Sequence, residues 1–263
     1  MSGFSADWLA LREAADHRAR SRELEQTLSA RFQTHDSITV VDLGCGTGSN
    51  LRATAPLLPE RQSWTLVDYD ADLLIAARMT LKAWADSASE DGDALELVED
   101  RRRIRVDFRQ ADLAQDLDGA LGGHADLVTA SALFDLASPD FIRRFTNTGI
   151  QRWVPHRPAD NAMASAFHRH QMRDKGLGPS AGPTAPAHLA DQFRLSDYTV
   201  LEGDSPWKLS APRDAALIAE LAKGFAAAVA ETGAVDKATI AAWQKVARTG
   251  AETGHTDTLA IPV

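Results

Sequence analysis

"VVDLGCGTGSNLR", residues 40–52, decides the fold: a short apolar run ends in an acid and passes directly into three glycines within five positions. The segment leading into it, SITVVDLG (37–44), is β-branched and bounded by turn formers, which predicts a buried strand. The segment leaving it, SNLRATAPLL (49–58), predicts a helix that Pro56 ends or kinks. Strand, glycine loop and helix in that order make a seat for an anion or a nucleotide. Glycine reaches φ > 0 without steric cost and lets a ligand touch the main chain, while the helix start offers free N–H groups. A dinucleotide loop spaces its glycines G-x-G-x-x-G around a pyrophosphate. Here the third glycine, Gly48, comes one residue early and position 49 is Ser, so the spacing favours a different ligand.

The same alternation continues downstream. SWTLVD (63–68) predicts a strand, ADLLIAARMTLKAWADSA (71–88) a long helix, EDGD (90–93) a turn, and RIRVDFRQAD (103–112) and ADLVTASALF (125–134) two further strands. SPDFIRRFTN (138–147) predicts a helix capped by Ser138 with Pro139 in its first turn. Short links between strands and helices imply a doubly wound, mostly parallel α/β sheet. Upstream, residues 5–32 have helical spacing with a break near Ser21. Past residue 148 the pattern loosens. GIQRWVP (149–155) is a poor fifth strand, and PADNAMASAFHRHQ (158–171) is helical. KGLGPSAGPTAP (175–186) is a loop, AHLADQF (187–193) a helix and DYTVLEG (197–203) a strand. Helices follow over roughly 211–232 and 235–249, and HTDTLAIPV (255–263) closes the chain as a strand.

Composition narrows the partners. With 28 Lys and Arg against 37 Asp and Glu, the 263-residue chain carries a formal charge of −9, which argues against a polyanionic partner, nucleic acid included. Arg18, Arg20 and Arg22, and again Arg101, Arg102 and Arg103, are flanked by acids and read as solvated faces. The single cysteine, Cys45, excludes an intramolecular disulfide and a Cys-based zinc site; it reads as a small filler of the loop. No run approaches ~18 apolar residues, so no membrane span is expected. MSGFSADWLALREAADHRAR turns charged too soon for a secretory signal, and the expected location is cytoplasmic.

DLGCGTGSN closely resembles the first motif of the class I S-adenosylmethionine-dependent methyltransferases. Three later checkpoints follow in order: WTLVDYDADLL, FRQADLAQDL and ADLVTASALFDLAS, so the resemblance covers about residues 37–137. It implies S-adenosyl-L-methionine as cofactor, lying on Gly44, Gly46 and Gly48. It implies Asp68 on the ribose hydroxyls, Asp112 near the adenine amino group with Leu113 beside it, and Ser131 in the segment beneath the methyl group. Two vicinal hydroxyls match the two oxygens of one carboxylate. Asp42 contacts the amino end of the methionine moiety or simply hydrogen-bonds the glycine turn, and the Tyr69 ring covers an adenine face or packs ordinarily.

The resemblance further implies a seven-stranded sheet with an antiparallel last strand. The ligand of an open α/β sheet lies at the carboxyl ends of its strands. A helical cap over residues 1–36 and insertions at 155–186 and 204–254, forming a substrate lid within a 37–263 domain, would then enclose a small acceptor. The polar cluster FHRHQMRDKG supplies His168 and His170 as catalytic candidates, and Asp135, just past the fourth strand, is a third. Each has a bland reading as well: a charged helix end for the histidines, a helix cap for Asp135. His168 and His170 are two apart with no third ligand in sight, so no metal is expected.

The expected function is methyl transfer to O or N of a small molecule. The alternatives are a macromolecule methyltransferase acting on RNA or protein, which the acidic balance disfavours, and a non-catalytic S-adenosylmethionine-binding protein. A nicotinamide-dependent oxidoreductase fails on glycine spacing and on the lack of a Tyr-x-x-x-Lys pair. The Asn/Asp-Pro-Pro-aromatic motif of adenine and amide N-methyltransferases is replaced by TASALFD, and the Lys-Pro-Gly-Gly type of turn before the fifth strand is missing.

Overall fold

The computed structural model describes residues 4–131, 151–172 and 185–263. The chain divides into two units, Met1–Glu13 with Arg22–Leu133, and Ala14–Ser21 with Phe134–Val263. The first unit takes the start of α1 (Ala6–Ala19), then α2 (Arg22–Phe32), β1 (Ser37–Leu43), α3 (Ser49–Thr54) with a 3-10 turn at Ala55–Leu57, and β2 (Arg61–Asp68). It continues through α4 (Ala71–Trp84), β3 (Ser87–Asp91), β4 (Ala94–Glu99), β5 (Arg102–Gln110), α5 (Leu117–Leu121) and β6 (Leu127–Ala130).

These strands form one sheet in the order β3-β4-β5-β2-β1-β6. β5, β2, β1 and β6 run parallel, and β4 joins them antiparallel. A central parallel strand is covered on both faces, so it can be a nearly continuous apolar run, as ITVVDL is. Ile38, Val40, Leu43, Trp64, Leu66, Ile104 and Val106 are buried, and all but Leu43 share one core cluster with Leu74, Ala77 and Leu81 of α4. The Trp64 indole N–H donates to Gln62 Oε1 at 2.8 Å, and the Gln62 amide donates onward to the Ala55 and Pro59 carbonyls, so this polar pair is satisfied within the core.

The expectation of seven strands needs correction: among the described residues the main sheet has six. Its outer two strands are a hairpin that the sequence reading missed, having drawn the helix on to residue 88. The pairing of Asp91 with Ala94 leaves only Gly92 and Asp93 as loop, and Gly92 takes φ +61°, as a tight hairpin turn demands. The closing strand does not extend this sheet. In the second unit β11 (Thr256–Pro262) pairs antiparallel with β8 (Tyr198–Asp204) as a separate two-stranded sheet, the two ladders satisfying each other's backbone.

The remaining elements of that unit are β7 (Gln151–Val154), α6 (Asp160–Gln171), α7 (Ala185–Leu195), β9 (Trp207–Ser210), α8 (Ala215–Thr232), α9 (Lys237–Gln244) and β10 (Gly250–Thr253). The poor fifth strand of the sequence is β7, and it pairs antiparallel with β10 in a β7-β10-β9 sheet rather than joining the parallel one. Trp153, Phe225 and Trp243 pack edge-on and stacked around one another, with Phe167 stacked on Phe225. The expected helix at 138–147 lies outside the described residues. Among the described residues no helix is long and apolar enough to cross a membrane.

Asp214, at the start of α8, is buried and receives Arg213 at 2.8 Å, Arg18 at 2.7 Å and the Ser210 N–H at 3.0 Å. The Arg213 hydrogen bonds lead in pulling its carboxyl down to about 2, against the cost of burial. Its folded pKa lies below the ordinary carboxylate value, so the stability it adds is present above pH ~4 and lost as pH falls through 2. Asp214→Asn should therefore cost about 1–2 kcal/mol at neutral pH, with solvent screening of the half-exposed Arg213 taken into account. The deficit should shrink in urea titrations at pH 2–3; a deficit independent of pH would contradict the assignment.

Candidate functional site

The four parallel strands end on one side of the sheet, and the sequence-predicted ligand residues follow those ends. Gly44 follows β1, Asp68 is the last residue of β2, Asp112 and Leu113 follow β5, and Ser131 follows β6. The strand order reverses between β1 and β6, the place at which open α/β sheets hold their ligands, at the carboxyl ends.

The glycines have a backbone reason. Gly44, Gly46 and Gly48 take φ +65°, +54° and +75°, the left-handed region that other L-residues seldom enter. At Gly46 sterics add to this, because a Cβ there would lie 2.9 Å from Leu9 Cδ1 of α1. Gly48 starts α3, and its N–H closes a turn onto the Cys45 carbonyl at 2.9 Å. The Cys45 N–H donates to the Val67 carbonyl at 2.9 Å and so ties the loop to β2. Burial, with the Asp42 and Asp68 carboxylates adding to it, pushes the Cys45 thiol well up, so it stays protonated and offers no nucleophile.

Asp68 is buried and braces the loop. Oδ2 accepts the Gly46 N–H at 2.8 Å, and Oδ1 accepts the Asp70 N–H at 3.0 Å. Burial pushes its carboxyl above the ordinary range, while the N–H bonds from Asp70 and Gly46 oppose that shift. Each carboxylate oxygen has a second lone pair, so two N–H bonds leave acceptor capacity for ligand hydroxyls. Asp42 is fully buried; its Oδ1 accepts from Asn50 Nδ2 at 2.7 Å and from Thr129 Oγ1 of β6 at 2.8 Å. Asp42 thus binds β1 to α3 and β6, a bracing role beyond either reading the sequence offered.

Asp112 closes its own loop, taking the Ala114 N–H at 3.0 Å and the Gln115 amide at 2.8 Å, with Leu113 buried next to it. Tyr69 is 57% exposed at the mouth of β2, and Ser131 is exposed past β6. Asp135 lies outside the described residues. His168 and His170 are in the second unit, on α6. His170 Nε2 is 3.0 Å from Glu231 Oε2 of α8. His168 Nε2 and Gln171 Oε1, one helical turn apart, are buried without a hydrogen-bond partner among the described residues.

Sequence reasoning missed Arg52. Its guanidinium is buried; Nη1 donates to the Thr47 carbonyl inside the loop at 2.8 Å, and Nε and Nη2 clasp Glu13 of α1 at 2.9 and 2.6 Å. Helical patterning carried no signal for it, since Asn50, Leu51, Arg52 and Thr54 of the six-residue α3 are all buried.

No family model and no curated protein matches the chain. Solved structures do resemble it along most of its length. One is a cyclopropane-fatty-acyl-phospholipid synthase-like protein from Lactobacillus casei, at 17% identity and TM-score 0.49, covering 94% of this chain and 91% of that one. A second is a cyclopropane synthase from Mycobacterium tuberculosis, at 10% identity and TM-score 0.47, covering 97% and 95%. A third is a SAM-dependent methyltransferase from Thiobacillus denitrificans in complex with S-adenosyl-L-homocysteine, at 16% identity and TM-score 0.44, covering 97% and 99%.

Proposed function

We propose that the chain binds S-adenosyl-L-methionine and transfers its methyl group to an oxygen or nitrogen of a small-molecule acceptor. The observation that carries this reading is the loop itself: three glycines at positive φ, with the Gly46 N–H held on a buried carboxylate 22 residues downstream. That arrangement brings bare main chain and an acceptor-rich carboxylate to one crevice, the pairing that an uncharged sugar with two hydroxyls requires.

Gly44, Gly46 and Gly48 would lie under the nucleoside, Asp68 would hold the ribose, and Asp112, Leu113 and Tyr69 would border the adenine. The bound sulfonium supplies an electrophilic methyl group; the chain's task is to hold the acceptor in line and exclude water. His168, whose ring Nε2 is buried without a partner among the described residues, is proposed as the first candidate for a proton-accepting group. His170, already paired with Glu231, is the second candidate, and Asp135 the third. The acidic balance of the chain supports a small acceptor over a nucleic acid.

Asp68→Ala should weaken binding of S-adenosylhomocysteine by about 1.5–3 kcal/mol, a charge-assisted pair lost together with the brace on Gly46. Unchanged affinity in titration calorimetry would remove Asp68 from the site. The reaction is tested by incubating the purified protein with a metabolite extract and a methyl-labelled donor. A labelled small molecule identified by mass spectrometry is the expected result; cofactor binding with no labelled product from any extract would reduce the protein to a binding module.

A further inference from the structure

Glu13 and Arg52 have no part in the proposed chemistry, yet they hold the back of the loop on which it depends. We infer that this pair is a latch through which α1 positions the glycine loop, so that docking of α1 and binding of the nucleoside are coupled. The inference rests on the ligand proposed above, and Glu13 and Arg52 act as positioning residues.

A loop of three left-handed glycines is soft, because glycine gives the backbone the most freedom to lose. Beyond its backbone ties, two side-chain contacts hold it here. The Gly46 N–H is drawn to Asp68 at 2.8 Å, and the Thr47 carbonyl is drawn to Arg52 at 2.8 Å. Between them they orient the peptides from 46 to 48. Arg52 is itself oriented by Glu13, whose two oxygens meet Nε and Nη2 in the bidentate geometry that fixes a guanidinium plane. The Arg52 side chain is only 6% exposed, so the pair is little screened by solvent. One turn earlier on the same face of α1, Leu9 packs against Gly46, its Cδ1 2.9 Å from where a Cβ would sit. α1 therefore grips the loop twice, with Leu9 on Gly46 and Glu13 through Arg52 on Thr47. A ligand that prefers this loop geometry must also favour docked α1, and the coupling is reciprocal.

Hydrogen exchange read by mass spectrometry, with and without saturating S-adenosylhomocysteine, tests this. In the wild-type protein the compound should slow exchange across residues 6–13. Glu13→Gln should raise its dissociation constant about tenfold and abolish that slowing, while β1 and β2 keep their protection. Unchanged exchange of residues 6–13 in the saturated wild-type protein overturns the latch without recourse to any variant, as does wild-type affinity in Glu13→Gln. Failure of the wild-type protein to bind the compound at all overturns the ligand reading instead, and the latch with it.

Discussion

Gly46→Val should lower affinity for S-adenosylhomocysteine by at least ~100-fold, or about 2.8 kcal/mol. Three costs converge on this residue. Its φ of +54° is left-handed, which costs an ordinary L-residue roughly 1–2 kcal/mol and a β-branched one more. Its Cβ would meet Leu9 Cδ1 at 2.9 Å, so the Leu9 side chain has to shift from its place against the loop. Rotating the peptide to relieve either strain carries the N–H away from Asp68 and dismantles the seat. Gly92→Val is the matched control. Gly92 has a similar φ of +61° with nothing within 4 Å of its would-be Cβ, and it turns the hairpin at the far edge of the sheet. That variant should lose comparable conformational stability while keeping its affinity within about twofold. If the two variants bind the compound equally well, the loop is not the seat.

The second large effect lies in the other unit. Asp160→Ala should destabilise the protein by about 3–5 kcal/mol, because it strands a buried arginine. The Arg248 side chain is 2% exposed; it donates to Asp160 at 3.1 Å and to the Pro155 carbonyl at 2.6 Å, with its guanidinium over the rings of Trp243 and Trp153. Asp160 also accepts the Trp243 indole N–H at 2.6 Å and the Arg157 N–H at 2.8 Å. Burial alone would push this carboxyl up, but the hydrogen bonds from Arg157, Trp243 and Arg248 outweigh it, and its pKa is lowered. Alanine would leave all three donors without their acceptor in a ring of aromatics. A thermal midpoint lower by roughly 10 °C is expected for a chain of this size. A shift of only 1–2 °C would mean that the neighbouring carbonyl and the aromatic rings suffice to hold the arginine.

These two sites also mark how far the sequence could be read. The glycine loop was legible because its physics is local: strand, three glycines and helix are contiguous, and Asp68 follows at a fixed interval at the end of the next strand. The parallel running of β1, β2, β5 and β6 followed from the strand and helix alternation for the same reason, although their order in the sheet did not. The hairpin was lost, although its turn at EDGD was expected, because SASED is wholly exposed and was drawn into the helix, while ALELVE was given no element. The Asp160–Arg248 pair was invisible because its partners are 88 residues apart, and each alone reads as a solvated charge. Glu13 and Arg52 escaped in the same way across 39 residues. Charges that pair at long range in a buried place leave no periodic trace, whereas backbone demands do.

The most direct measurement of the central claim is a parallel calorimetric titration of the full chain with S-adenosylhomocysteine and with NADH. One-to-one binding of the first and no heat from the second is the predicted result. Binding of NADH, or no binding of S-adenosylhomocysteine at any attainable concentration, would contradict it.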